Sequence, residues 1–103
     1  MALAMKANCE RCREKLPADS PLALICSFEC TFCAACADDV LQDVCPNCGG
    51  NLEPRPIRPR RAWREGAGLA NDPAGTARRH SPYTRDEIVG FVETLRATPP
   101  AER

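Results

Sequence analysis

Eight cysteines in four close pairs, all between residues 9 and 48, constrain this chain more than any other feature of its sequence. They read Cys9-x2-Cys12, Cys26-x3-Cys30, Cys33-x2-Cys36 and Cys45-x2-Cys48, with 13, 2 and 8 residues between successive pairs. Two or three intervening residues let the backbone turn so that both sulfurs face one ion at about 2.3 Å. Eight thiolates fill two closed four-sulfur spheres with none left over. Little else is available to fold around. The chain has 103 residues and five aromatics, and Ala and Cys make up much of its 44% hydrophobic share. Domains of this size ordinarily depend on a metal, disulfides or a partner.

Compartment separates metal from disulfide. The opening Met1-Ala-Leu-Ala-Met-Lys6 is too short an apolar run for a secretory signal, and no run approaches the ~18 apolar residues of a membrane span. The expectation is a reducing cytoplasm and no membrane, where paired thiols bind metal and a secreted disulfide scaffold is the competing reading. Keeping each pair intact, the spacing admits three ligand partitions. In one, pairs one and three share an ion and pairs two and four the other. In another, pairs one and two share an ion, then three and four. In the last, the inner pairs wrap one ion within 11 residues, which is cramped.

The order Cys9-x2-Cys12, Cys26-x3-Cys30-x2-Cys33-x2-Cys36, Cys45-Pro-Asn-Cys48 resembles the RING-finger pattern, with Cys30 where that family usually has His. The resemblance implies a cross-braced, treble-clef type of fold. It also implies the ligand sets: Cys9, Cys12, Cys33 and Cys36 on one Zn2+, and Cys26, Cys30, Cys45 and Cys48 on a second. Cys26-Ser-Phe-Glu-Cys30-Thr-Phe-Cys33 and Val44-Cys45-Pro-Asn-Cys48-Gly-Gly50 also resemble a family of short bacterial cysteine-rich proteins of unknown function, over residues 5–58. RING members that recruit ubiquitin-conjugating enzymes carry a hydrophobic residue in the first knuckle, a Trp between the last two pairs and a basic residue after the last cysteine. Here those places hold Glu10-Arg11, no Trp, and Gly49, so that activity is not expected. Iron is the alternative metal. Cys30-x2-Cys33-x2-Cys36 with Cys45-Pro46 partly resembles an iron–sulfur run, and Cys45-Pro-Asn-Cys48-Gly49 a rubredoxin knuckle.

The expected fold class is a small, metal-dominated α+β head over residues 5–53, a disordered linker over 54–82, and one amphipathic C-terminal helix within 83–98. Residues 22–28 alternate weakly and read as a strand. Ala34 to Gln42 has good helix formers, which places Cys33 and Cys36 at a helix's positive end. Val40, Leu41 and Val44 are expected to pack with Leu22, Leu24, Phe28 and Phe32. The linker starts Pro54-Arg-Pro-Ile-Arg-Pro-Arg-Arg61, an extended proline-set path. Beyond it, Thr84-Arg-Asp-Glu87 has the form of a capping box, with Tyr83 and Ile88 at staple spacing. Ile88, Phe91, Val92 and Leu95 share one face of a helix over 85–97, stopped by Pro99-Pro100. That face must pack on the head, on a second copy, or in a groove of another protein.

The zero net charge conceals a division. Residues 1–53 have four basic and eight acidic groups, and residues 54–82 seven arginines against Glu65 and Asp72. The expected role is therefore a non-catalytic, zinc-binding protein-interaction or regulatory module. The alternatives are nucleic-acid binding through Arg55, Arg58, Arg60, Arg61 and Arg64, with Trp63 free to stack on a base, or an iron-based redox protein. A basic arm folded onto its own acidic head would explain the division equally well. No enzyme is expected. Closed four-thiolate sites leave no position for water. His80 has no ligand cluster around it, the serines lack a base, and Asp38-Asp39 read as a solvated face.

Overall fold

The computed structural model describes residues 2–103. Strand β1 (Ala23–Ile25) pairs antiparallel with β2 (Thr31–Cys33) and with β3 (Glu53–Pro54), giving the sheet order β2-β1-β3. Ala23 lies opposite Cys33 and Leu24 opposite Phe32, while Ile25 sits between Thr31 and Glu53. Helix α1 (Ala34–Cys36) follows β2 directly and widens into a π turn over Ala37–Leu41, where the Gln42 amide reaches the Ala37 carbonyl at 2.8 Å. Gln42 and Asp43 then adopt left-handed conformations, and the Asp43 carboxylate accepts from the Leu52 amide at 2.9 Å. The turn is thereby tied to the chain entering β3.

The core lies between sheet, π turn and the last helix. Phe32, Leu41, Val44 and Val40 are buried as expected, joined by Leu16 and Leu52. Two expected members are not there. Leu22 is 59% exposed and Phe28 73% exposed. The strand is shorter than 22–28. Alternation puts Leu22 on the face opposite buried Ala23, and Phe28 belongs to the second cysteine turn, its amide donating to the Cys26 sulfur at 3.3 Å.

Helix α2 (Arg85–Leu95) has both halves of the capping box: the Glu87 amide donates to Thr84 Oγ1 at 3.3 Å, and the Thr84 amide to Glu87 Oε1 at 3.0 Å. It ends two residues before the expected boundary. Ile88 and Val92 are buried against the head, a contribution of about 3–6 kcal/mol gross at 1.5–3 kcal/mol each. A marginal eleven-residue helix is thus held by packing rather than by propensity. Of the three uses open to its apolar face, the structure shows docking on the head. Beyond α2, Arg103 Nη1 donates to the Gly49 and Asp43 carbonyls at 3.0 and 3.2 Å.

Residues 54–82, expected as a disordered linker, have no regular element beyond Pro54 but are tied to the head at both ends. Arg55 is buried, and its guanidinium donates to the carbonyls of Lys6 (2.9 Å), Leu16 (3.2 Å) and Pro17 (2.8 Å). At the other end Asn8 makes two hydrogen bonds with the Arg79 backbone, and the Ser81 amide donates to the Glu10 carbonyl at 2.7 Å. Proline content predicts an extended path, and that path is anchored because its few free backbone groups and one guanidinium find partners in the head. No helix among the described residues is long and apolar enough to cross a membrane.

Candidate metal centre

All eight cysteines are free. The sulfurs of Cys9, Cys12, Cys33 and Cys36 lie within 4.8 Å of one another, and those of Cys26, Cys45 and Cys48 do likewise. The first turn therefore meets the third, and Cys26 of the second meets the fourth. The Cys12 and Cys33 sulfurs are 3.6 Å apart. A tetrahedron with metal–sulfur bonds of about 2.3 Å has edges of about 3.8 Å, so this donor set fits a tetrahedral thiophilic ion. Cys30, expected as the eighth ligand, stands outside the three-sulfur group. Cys26 and the Asn47 side chain lie close to its thiol.

The first and fourth turns are built alike. The Cys9 amide donates to the Glu14 carbonyl and the Cys45 amide to the Gly50 carbonyl, each at 2.8 Å. The Arg13 and Gly49 amides return to the Cys9 and Cys45 carbonyls at 2.9 and 2.8 Å. Both closing residues are left-handed, Arg13 at φ 68° and Gly49 at φ 83°. At Gly49 a side chain would also be crowded, because an added Cβ would lie 3.1 Å from Leu95 Cδ1. Backbone amides point at the sulfurs: Cys12 to Cys9 (3.5 Å), Cys36 to Cys33 (3.4 Å) and Gly50 to Cys48 (3.4 Å). Such donors offset thiolate charge and orient the ligands.

Between the two clusters lies a carboxylate. Glu10, inside the first turn, is 6% exposed. Its Oε2 accepts from the Thr31 amide at 2.7 Å and its Oε1 from Asn47 Nδ2, inside the fourth turn, at 3.4 Å. Ser81 Oγ donates to Asn47 Oδ1 at 2.8 Å, and the Glu10 amide donates to the Thr31 carbonyl at 2.9 Å. One acidic side chain thus joins the first cysteine turn, the strand entering the third, and the fourth. Next to it, Arg11 Nη1 donates to the Cys36 sulfur at 3.3 Å. Cysteine spacing carries no sign of these roles for Glu10, Arg11, Asn47 or Ser81. The only trace in the sequence is that a charged pair occupies the first turn, where RING recruiters have an apolar residue.

Burial and hydrogen bonding set what the thiols need. Burial pushes Cys36 and Cys45 well above the ordinary thiol value. At Cys36 the Arg11 hydrogen bond opposes this, and at Cys45 the nearby Cys30 and Cys26 add to it. Burial likewise raises Cys12 and Cys30. Cys9 is lowered: burial, its largest single influence, acts upward, but the backbone donors of Cys12, Cys33 and Arg11 together outweigh it. The expected pull of the α1 positive end is realised as a cap, with the Cys33 sulfur accepting from the Cys36 amide, yet it does not overcome burial at Cys36. The four raised thiols, Cys12, Cys30, Cys36 and Cys45, hold their protons until a cation replaces them.

The remaining candidates separate clearly. His80, Asp38 and Asp39 are exposed. Of the arm's arginines, Arg55 is consumed in the head and Arg58 donates to the carbonyls of Asp72 (2.8 Å) and Leu3, while Arg60, Arg61 and Arg64 are exposed.

A family model described as "Protein of unknown function (DUF1272)" matches residues 2–58, the stretch that contains every cysteine and β3. A protein of Rhizobium meliloti (strain 1021), described as uncharacterized, is 51% identical over 76 residues, which are 74% of this chain and 83% of that protein. No solved structure matches the chain.

Proposed function

The chain belongs to the DUF1272 family, and from that premise we propose that it is a non-catalytic, two-zinc, RING-like interaction module of the bacterial cytoplasm. The observation that carries this reading is the meeting of two cysteine turns 21 residues apart, Cys12 and Cys33, at the sulfur–sulfur distance of a tetrahedral site. The grouping of the first turn with the third, and of Cys26 with the fourth, supports cross-braced ligation. The first zinc is held by Cys9, Cys12, Cys33 and Cys36. The second is held by Cys26, Cys45 and Cys48, with Cys30 turning from Asn47 to complete the sphere. Four sulfurs close each ion against water and substrate, so the metals organise the head rather than react. Tetrahedral four-sulfur sites suit zinc and iron alike, and zinc, being redox-silent, fits the organising role proposed here. A head so stiffened serves to display what surrounds it: an acidic surface and a basic arm.

Elemental analysis of untagged protein, with a thiol count before and after chelation, tests this. Two zinc per chain, no colour and eight thiols protected until chelation is the expected result. One metal or none, iron colour, or preformed disulfides would overturn it.

A further inference from the structure

The arm's charge is not neutralised inside the molecule. Arg55, Arg58 and Arg78 donate only to main-chain carbonyls, those of Lys6, Leu16, Pro17, Asp72, Leu3 and Arg13. Among the described residues the sole ion pair is Lys6–Glu10, so no carboxylate lies within 4 Å of any arginine of the arm. Direct ion pairing between the basic segment and the acidic head therefore does not account for the charge division. Arg60, Arg61, Arg64, Arg78 and Arg79 are exposed, and three of these five sit on one structured loop.

That loop runs from Pro59 to Leu69 and is closed by the Leu69 amide on the Pro59 carbonyl at 3.0 Å. Gly68 makes the closure possible. It is left-handed at φ 93°, and a Cβ there would come within 2.7 Å of the Arg61 carbonyl oxygen. The Ala67 amide on the Arg64 carbonyl (3.1 Å) and Asn71 Nδ2 on the Ala67 carbonyl (2.9 Å) brace the return. On the loop sit Arg60, Arg61 and Arg64, all exposed, around Trp63, which is 71% exposed. Beside Trp63 a groove of about 640 Å3 continues toward Ile57, itself 52% exposed. Asp19 lines that groove, and Glu65 and Asp72 are the arm's only acids, so three exposed guanidiniums, that of Arg64 donating to the Trp63 carbonyl at 3.3 Å, and one bare indole dominate the surface.

We infer that this loop binds single-stranded nucleic acid, with Trp63 stacking on an unpaired base and Arg60, Arg61 and Arg64 contacting the flanking phosphates. This names the partner of the interaction module proposed above and rests on that reading, since the metal-built head anchors both ends of the arm. Phosphate is the anion that a guanidinium fork matches. A single strand is favoured over duplex because stacking needs a free base face, and the loop offers no helix or ribbon to enter a groove.

Trp63 is the only tryptophan, so its fluorescence reports on this loop alone. Zinc-loaded full-length chain is titrated with oligo-dT and oligo-U, with duplex DNA, a poly-glutamate peptide and phosphatidylglycerol vesicles as comparisons. Expected are Trp63 quenching by the single strands, weaker binding to duplex, and a log K against log salt slope of roughly −2 from three phosphate contacts. Read by the anisotropy of a fluorophore-labelled oligonucleotide, because these variants lack the tryptophan signal, Trp63→Ala should weaken binding about tenfold or more, and Trp63→Phe should recover part of it. Arg60→Ala with Arg61→Ala should flatten the salt slope by roughly 1.4. Zinc content measured on each variant keeps the two ideas apart. Full zinc with no single-strand binding sinks this inference and leaves the module standing, whereas absent zinc removes the module. Preference for duplex, peptide or vesicles, or binding indifferent to Trp63, also overturns the assignment.

Discussion

Replacing Glu10 by Ala should damage the head more than loss of any exposed charge. The Thr31 amide is fully buried and donates to Glu10 Oε2 at 2.7 Å. Truncation leaves that amide with no acceptor, which costs about 1–3 kcal/mol. It also removes the acceptor of Asn47 Nδ2 and leaves a void where a 6% exposed side chain stood, adding about 1 kcal/mol. The sum is roughly 2–4 kcal/mol. Loss of the 3.4 Å contact with partly exposed Lys6 adds little in water. Glu10→Gln should behave differently. Its amide oxygen can still accept from Thr31. Asn47 can turn so that its oxygen accepts from the new NH2, while the Ser81 hydroxyl changes from donor to acceptor. Only the charge assistance is lost, about 1 kcal/mol. The assay is denaturant unfolding followed by circular dichroism at fixed free zinc, with chelator competition on the same samples. Because the carboxylate touches turns of both clusters, Glu10→Ala should release both metals at lower chelator concentration. An Ala variant within ~0.5 kcal/mol of the native protein, or a Gln variant as damaged as Ala, would refute the claim that an orphaned Thr31 amide sets the cost.

Two glycines make a paired prediction. Gly49→Ala must adopt φ 83° and press on Leu95 Cδ1 at 3.1 Å, so it should destabilise by more than about 1 kcal/mol. Gly90→Ala, in exposed mid-helix with nothing within 4 Å, should stabilise α2 by about 0.5–1 kcal/mol. Amide exchange of α2 reads both signs, and a shared sign would contradict the packing described. Acid should strip the metal. Burial raises the Cys12, Cys30, Cys36 and Cys45 thiols, so without metal they hold protons at neutral pH. Loading releases those protons, and affinity should therefore fall with decreasing pH by about tenfold per unit for each proton released. Zinc release followed with a colorimetric chelator from pH 8 downward checks the slope, and pH-independent retention would count against thiolate ligation.

The sequence by itself determined what is local along the chain. Ligand spacing within each cysteine turn is a covalent property of two or three residues, so the four turns were legible. The Thr84–Glu87 box and the Ile88, Val92 stripe were legible for the same reason, since one helical turn carries all of their information. Spacing left three partitions of the pairs open, and only the fold brought Cys12 beside Cys33 and Cys26 beside Cys45 and Cys48. The weak strand pattern could not place Phe28 or Leu22, because a turn at Cys26 and the choice of buried face are decided by what packs opposite. Glu10, read as one more acidic residue, became the strut between the clusters only when Thr31 and Asn47 came to it from 21 and 37 positions away. Arg55 and Arg60 look alike in the sequence. One is buried under three carbonyls and the other is in solvent, because hydrogen-bond partners for a guanidinium are supplied by neighbours in space, not by neighbours along the chain.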